Sequence, residues 1–410
     1  MPTELAKNVK KYRRVSGQSQ EELAESAGVA VQTVRKVEQG GEVRTDTLHA
    51  IARGLGVQTS ALFATDTPTP VMGDDASRRN LAELRRALMP PIGLAESLTD
   101  VAAAGDLAAL QTAIDDGHAL YHADRYSSVA KILPSLLRTA EGTVLALEGE
   151  DKQRAMIVRG RALLLTGKYL TQVRQYDLAY YALAESIRLA RESGQTLSGA
   201  TGVVGMCWLL LRQDRFDESE HLAASTASTM EPRMSDSSPG HLAVWGELSL
   251  RVASAAVRNN RPDVAREARR MANTAASALD AEHVDFKSHW TTFGPVTAEL
   301  KAVEDLSIIG DARGVLRRAD DGLLSQKAVR NFGKPSANNW DRHRLDVAKA
   351  HVALGSHQDG MAELNLLKRS SGEWLKHQAM ARYVMADILN SRKRTLTQEM
   401  RDMASYLGVV

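Results

Sequence analysis

Through the first 63 residues, apolar side chains recur at helical spacing in five short runs separated by a few residues each. Leu5, Val9 and Tyr12 mark the first run, Lys10, Lys11, Arg13 and Arg14 occupy much of its remaining surface, and Gly17 stops it. Ser19 with Glu22 three residues on predicts a capping box at the start of the second helix, and Gly28 the tight turn behind it. The third helix runs from about Val31 to Gln39 with Val34 and Val37 inward, which leaves Gln32, Thr33, Arg35 and Lys36 mostly outward. Thr45 is expected to cap a fourth helix built on Leu48, Ile51, Ala52 and Leu55 and closed by Gly56, and a short fifth ends at Leu62-Phe63.

From Thr65 to about Ser77 the chain is short on helix formers and rich in breakers, as a linker is. A helix follows with Leu81, Leu84 and Leu88 on one side, stopped by Pro90-Pro91. Beyond residue 100, long Ala/Leu-rich helices alternate with short turns that resemble one another: Ala123-Asp124-Arg125-Tyr126, Arg174-Gln175-Tyr176-Asp177, Gln213-Asp214-Arg215-Phe216-Asp217, Asn260-Arg261-Pro262-Asp263, Ile309-Gly310-Asp311-Ala312 and Leu354-Gly355-Ser356-His357. Helix pairs recurring every 40 to 50 residues cannot bury their faces alone and must stack, which predicts a curved α-solenoid with a concave inner surface. The expected layout is all-α: a five-helix head at 1–65, a linker at 66–77, a connecting helix in 78–100 and a helical repeat domain at 101–410.

Composition supports that layout, since aromatic residues are only 5% of the chain and sheets use aromatic and β-branched residues. The net charge of +2 divides unevenly: residues 1–65 hold nine Lys/Arg against seven Asp/Glu, and the other 345 residues balance at 43 against 43. So small a surplus would hold a polyanion only weakly through one head, so tight electrostatic binding would need two heads acting together. Cys207, the single cysteine, lies in an apolar run and reads as a core thiol. No apolar stretch approaches the roughly 18 residues that span a bilayer, and the N-terminus lacks a signal-peptide core, so a cytoplasmic location is expected.

The head resembles the lambda-repressor-like (XRE-type) helix-turn-helix family in Leu5 to Arg13, Ser19-Gln20-Glu21-Glu22-Leu23-Ala24, Gly28-Val29, Thr33-Val34, Val37-Glu38-Gln39-Gly40 and Leu48 to Val57. The resemblance implies binding to double-stranded DNA, with Gln20 anchoring backbone phosphate and Val31, Gln32, Thr33, Arg35 and Lys36 on the helix that enters the major groove. Arg and Lys suit guanine O6 and N7, Gln suits adenine N6 and N7, and Val or Thr meets a thymine methyl. Gln39 and Arg44 fall where phosphate contacts are expected. Two positions depart from the family: Ala30 stands where Ser usually caps the recognition helix, and Gln18 replaces a usual Leu.

The remainder resembles a tetratricopeptide-type (TPR-like) array, and Leu133 to Leu137, Phe293-Gly294-Pro295 and Arg344 to Ala350 are similar to stretches of actinobacterial regulators with the same two-part layout. The order of domains is also that of the quorum-sensing peptide receptors of Gram-positive bacteria. First helices of such pairs line the concave face, which makes Trp208, Trp245, Trp290 and Trp340 candidates for a ligand track with Asn338 and Arg344; Trp there also packs one pair on the next. His283, His289 and His343 lack paired carboxylate spacing and read as surface or core histidines, so no metal is expected. There is no phosphate-cradling glycine loop, nucleophile elbow or His-Glu-x-x-His, so neither an enzyme nor a cofactor is expected. The sequence therefore points to a homodimeric regulator of a palindromic operator, modulated by a peptide or small-molecule effector. The alternative is an interaction scaffold whose head serves localisation or assembly.

Overall fold

The computed structural model describes residues 4–15, 18–57, 59–63, 75–91, 104–233, 236–391 and 396–409; among these the regular structure is helical, with one isolated bridge between His283 and Phe293. In the head, α1 (Glu4–Val15), α2 (Gln20–Ala27), α3 (Val31–Glu38), α4 (Thr45–Gly54) and α5 (Thr59–Leu62) enclose a core of Val9, Leu23, Val34, Val37, Leu48, Ile51 and Leu62. The capping box forms as the sequence predicts: Ser19 Oγ accepts from the Glu22 N–H at 3.0 Å and the Glu22 carboxylate accepts from the Ser19 N–H at 2.6 Å. Gly28 takes the left-handed conformation that ends α2. Thr45 is the first residue of α4 rather than its cap, because Arg44 holds the cap position without a side-chain bond and Asp46 bonds the Thr47 N–H instead. The Gly17 stop lies outside the described residues, as does the expected linker up to residue 74; residues 75–77 already belong to α6 (Asp75–Leu88), which packs Leu84 and Leu88 onto α8.

The six similar turns join six helical hairpins: α7 (Leu107–His122) with α8 (Tyr126–Ala146), α9 (Gly149–Gln172) with α10 (Tyr176–Glu192), α11 (Thr196–Arg212) with α12 (Phe216–Thr229), α13 (Pro239–Arg258) with α14 (Pro262–Leu279), α15 (Pro295–Ile309) with α16 (Ala312–Arg318) and, after α17 (Gln326–Phe332), α18 (Ala337–Ala353) with α19 (His357–Ser370). Each turn reverses the chain through one left-handed residue, Asp124, Arg174, Asp214, Asn260, Gly310 or Gly355, with φ between 57° and 83°. The next N–H then reaches back to a carbonyl in the last turn of the first helix, as Arg125 does to Leu120 (3.0 Å) and Ser356 to His351 (2.8 Å). Asp, Asn and Gly tolerate this conformation, which explains five of the six turns; Arg174 adopts it without that chemistry.

Three short helices, α20 (Gly372–Lys376), α21 (Ala379–Ser391) and α22 (Gln398–Leu407), finish the chain. They bring the end of the array back to its beginning: the Glu373 carboxylate accepts from both the N–H and the hydroxyl of Ser127, each at 2.8 Å, and α20 packs on α8. Between α14 and α15 the chain runs through exposed residues such as Val284 and Lys287 and then turns inward over residues 289–294. Trp290 lies on Gly205 and Phe293 on Gly246, so closely that a Cβ would come within 2.1 Å and 2.0 Å of the two rings. Lys168 Nζ donates to the His289 carbonyl at 2.7 Å, and Phe286 stacks on His122 with ring centres 4.1 Å apart.

The head is seated on two hairpin turns. The Thr59 N–H donates to Asp214 Oδ2 at 2.5 Å, Arg53 donates to Asn259 Oδ1 at 3.0 Å, and the His49 ring meets Phe216 edge-on at 5.2 Å. Burial, reinforced by Arg258, Arg53 and Lys349, pushes the His49 pKa down to about 3. Because the folded value lies below the unfolded one, this histidine supports docking fully above pH ~6.5 and loses that support as pH falls toward 3. Hydrogen-exchange protection of α4, corrected for intrinsic rates, is expected to fall between pH 6.5 and 4.5, and to fall less in His49→Gln. Equal pH dependence in the two proteins would contradict this account.

Candidate nucleic-acid interface and ligand chamber

Helix α3 has its C-terminal half fixed by a buried relay. Arg13 Nε donates to Glu38 Oε1 at 2.6 Å, Gln20 Nε2 donates to Glu38 Oε2 at 2.6 Å, and Arg35 Nε donates to Gln20 Oε1 at 3.3 Å. Burial would raise the Glu38 pKa, but the bonds from Arg13 and Gln20 outweigh it and hold the carboxyl below its usual range. Gln20 is thus committed on one side to orienting α3, and Arg35 is held over α2 with a second bond from Nη2 to Glu21 at 2.8 Å. Gln32, Lys36, Gln39 and Arg44 are exposed, whereas Val31, Thr33 and Arg35 are half-buried. All of them lie on α3 or on the segment that follows it, while Arg53 of α4 and Thr59 of α5 make contacts to the array.

At the other end of α3, Ala30 caps with no side-chain bond. Ala30→Ser supplies the missing acceptor and is expected to stabilise the protein by about 1 kcal/mol in chemical denaturation. No gain, with the hydroxyl in place, would show that this helix end is satisfied by other means.

Within the array, the first helix of every hairpin reaches a common chamber: Tyr121 and His122 from α7, Gln172 from α9, Trp208 from α11, Arg251 from α13, Lys301 from α15, and Asn338, Asn339 and Arg342 from α18. Trp290 and Thr291 of the inserted segment and Trp374 of α20 complete the wall, around a space of about 460 Å³ that includes the solvent at its mouth. Arg212, Arg251 and Arg342 lie 4.7, 5.1 and 5.0 Å from the centre of the Trp208 ring, and Lys301 5.9 Å. Burial pushes Arg212 down to about 9, with Arg342 adding to it, and lowers Arg251 and Lys301 as well.

The expected ligand track divides here. Trp208, Trp290 and Asn338 line the chamber. Trp245 is instead buried with its Nε1–H on the Ala227 carbonyl at 3.2 Å, Trp340 packs beside the Val296, Val303 and Val347 cluster, and Arg344 is held between Glu363 and Asp320. The sequence reading missed Gln172, Arg251, Lys301 and Arg342; the visible sign was a charge inside an apolar helical run, as at Leu248-Ser249-Leu250-Arg251-Val252-Ala253. Cys207 is buried, with its thiol pushed up to about 12 by desolvation.

His283, Asp285 and His289 gather with their polar atoms within 4.8 Å of one another. That spread exceeds the ~4 Å that two ligands about 2 Å from one zinc ion can span, and Asp285 Oδ1 is already taken by the Lys287 and Ser288 N–H groups. His343 is buried with Nε2 on the Ala319 carbonyl at 2.8 Å.

Residues 9–62 match the family described as Helix-turn-helix, which covers α2 to α5 and most of α1. The head is accordingly a helix-turn-helix domain of the XRE type, the kind found in DNA-binding regulators. Neither a curated protein nor a solved structure matches the chain. No helix among the described residues is long and apolar enough to cross a membrane.

Proposed function

We propose that this chain is a sequence-specific transcription regulator that acts in the cytoplasm as a homodimer on a palindromic operator, and that its helical array, TPR-like in its pairing, adjusts DNA binding in response to a small effector. The observation that carries the reading is the division of the head into two faces: Gln32, Lys36, Gln39 and Arg44 stand exposed on the α3 side, and α4 with α5 is given over to Asp214 and Asn259 of the array. In this arrangement α3 enters the major groove, Gln39 and Arg44 meet the flanking phosphates, and the array sets where the head points.

The surplus of two charges in the head supports the dimer, because one head neutralises too few phosphates for tight binding at physiological salt. The grouping of the array's interior cations around the Trp208 indole supports a binding role for the array. Sedimentation of the protein with its selected operator tests the stoichiometry. Two chains per operator are expected, and tight binding by one chain would overturn the dimer.

A further inference from the structure

Four cations surround Trp208, and their compensation is incomplete. Lys301 is paired with Glu304 at 2.8 Å, but Glu304 also serves Arg258 at 3.3 Å. Arg342 and Arg212 share one neutral acceptor, Gln378 Oε1, at 2.9 and 3.5 Å. Arg251, only 8% exposed, has its Nε without a hydrogen-bond partner, and so does Nε of Arg212. Gln172, 6% exposed, has its Nε2 equally unmatched. The nearby Glu247 acts on Arg251 by charge alone and not by a hydrogen bond: both its oxygens lack partners, and burial pushes its pKa up to about 7 against the lowering charges of Arg251 and Lys168. A cation over an aromatic ring recovers less than desolvating the ion costs.

A second cavity of comparable size, beside Met156, Ile157 and Leu164, makes the contrast. Its cations Arg161 and Lys287 are already matched by Asp115 at 2.6 and 3.2 Å. The chamber wall offers Arg251, Lys301 and Arg342 and contains no carboxylate.

We propose that this chamber binds a small organic oxyanion, a carboxylate or phosphate carried on a flat unsaturated body. The oxyanion takes the unmatched donors of Arg251 and Gln172 together with Arg342 and Lys301, and the flat body lies among Trp208, Trp290 and Trp374. Trp290 and Phe293 of the inserted segment occupy the neighbouring interior against Gly205 and Gly246, so the space left suits a compact ligand better than an extended peptide.

The same helices lead to the head. Trp208 and Arg212 lie on α11, and Asp214, two residues past its end, holds the Thr59 N–H. Arg251 lies on α13, and Asn259, about 12 Å further along at 1.5 Å per residue, holds Arg53. An anion that draws α11 and α13 together therefore acts on both seats of the head; this consequence rests on the regulator reading above, whereas binding itself does not.

The test is calorimetry and tryptophan fluorescence on the intact protein with phenyl phosphate, benzoate, inorganic phosphate and neutral benzyl alcohol. Phenyl phosphate or benzoate is expected to bind about tenfold or more tightly than benzyl alcohol and to quench fluorescence, and which of the two wins identifies the oxyanion. Binding is expected to weaken about tenfold in Arg251→Gln and, should that variant misfold, in Asn338→Ala and Arg342→Gln, each checked by its melting curve. Failure of both aromatic anions to bind, equal binding of benzyl alcohol, or unchanged affinity in the folded variants would overturn the site. Anion binding that leaves operator affinity unaltered would uphold the site and overturn its role as the effector switch.

Discussion

An Arg35→Ala, Lys36→Ala protein is expected to lose about a hundredfold or more in operator affinity, measured by fluorescence anisotropy at fixed salt, and to melt within about a degree of the parent. Each side chain that reaches a base edge in the major groove contributes about 1–3 kcal/mol, and a dimer loses both copies. The fold has little to lose: Lys36 is exposed, the Arg35–Glu21 pair is a surface ion pair of the kind that contributes at most about 1 kcal/mol, and the Arg35–Gln20 bond is the long 3.3 Å outer end of a relay whose Arg13–Glu38–Gln20 part is kept. Glu21 has a second consequence. Its carboxylate competes with DNA for Arg35, so the guanidinium reaches a guanine only by sharing or leaving that partner. Undiminished operator binding by the double variant would remove α3 from the interface.

Gly246→Ala is expected to cost about 3 kcal/mol of stability. A Cβ at this position would lie 2.0 Å from the Phe293 ring, which is itself buried and cannot swing away without carrying the 280–294 segment with it. Shrinking the ring should relieve the clash, so Phe293→Leu is expected to cost less in the Gly246→Ala background than in the parent. A double-mutant cycle by thermal melting reads this directly, and strict additivity of the two changes would show that the segment is not wedged between α11 and α13.

Much of the head was legible in the sequence because its signals are local. The Ser19–Glu22 box, Gly28 and the Val34/Val37 spacing each act within a few residues, and the structure places them accordingly. The array's turns were legible for the same reason, since all six need a left-handed residue and Asp, Asn or Gly supplies it in five, Arg174 alone lacking that chemistry. Thr45 misled because Thr favours caps in general, while at this site Arg44 occupies the cap and Asp46 bonds the next turn.

The chamber was half legible. Trp208, Trp290 and Asn338 could be picked out by residue type, but Trp245 and Trp340, alike in type and position, were turned into the packing between helices by local neighbours. What pulls Gln172, Arg251 and Arg342 into one site is the closure of the array through Glu373 and Ser127, a contact spanning 246 residues that no periodicity announces. The seating of the head on Asp214 and Asn259 is non-local in the same way.

The central claim, that the head reads DNA sequence as one half of a dimer, is met most directly by selecting bound fragments from genomic DNA with the purified intact protein and footprinting the winners. The account predicts enrichment of a short inverted repeat, with two protected half-sites on one face of the duplex. Recovery of fragments with no shared sequence, or no protection of any fragment, would contradict it.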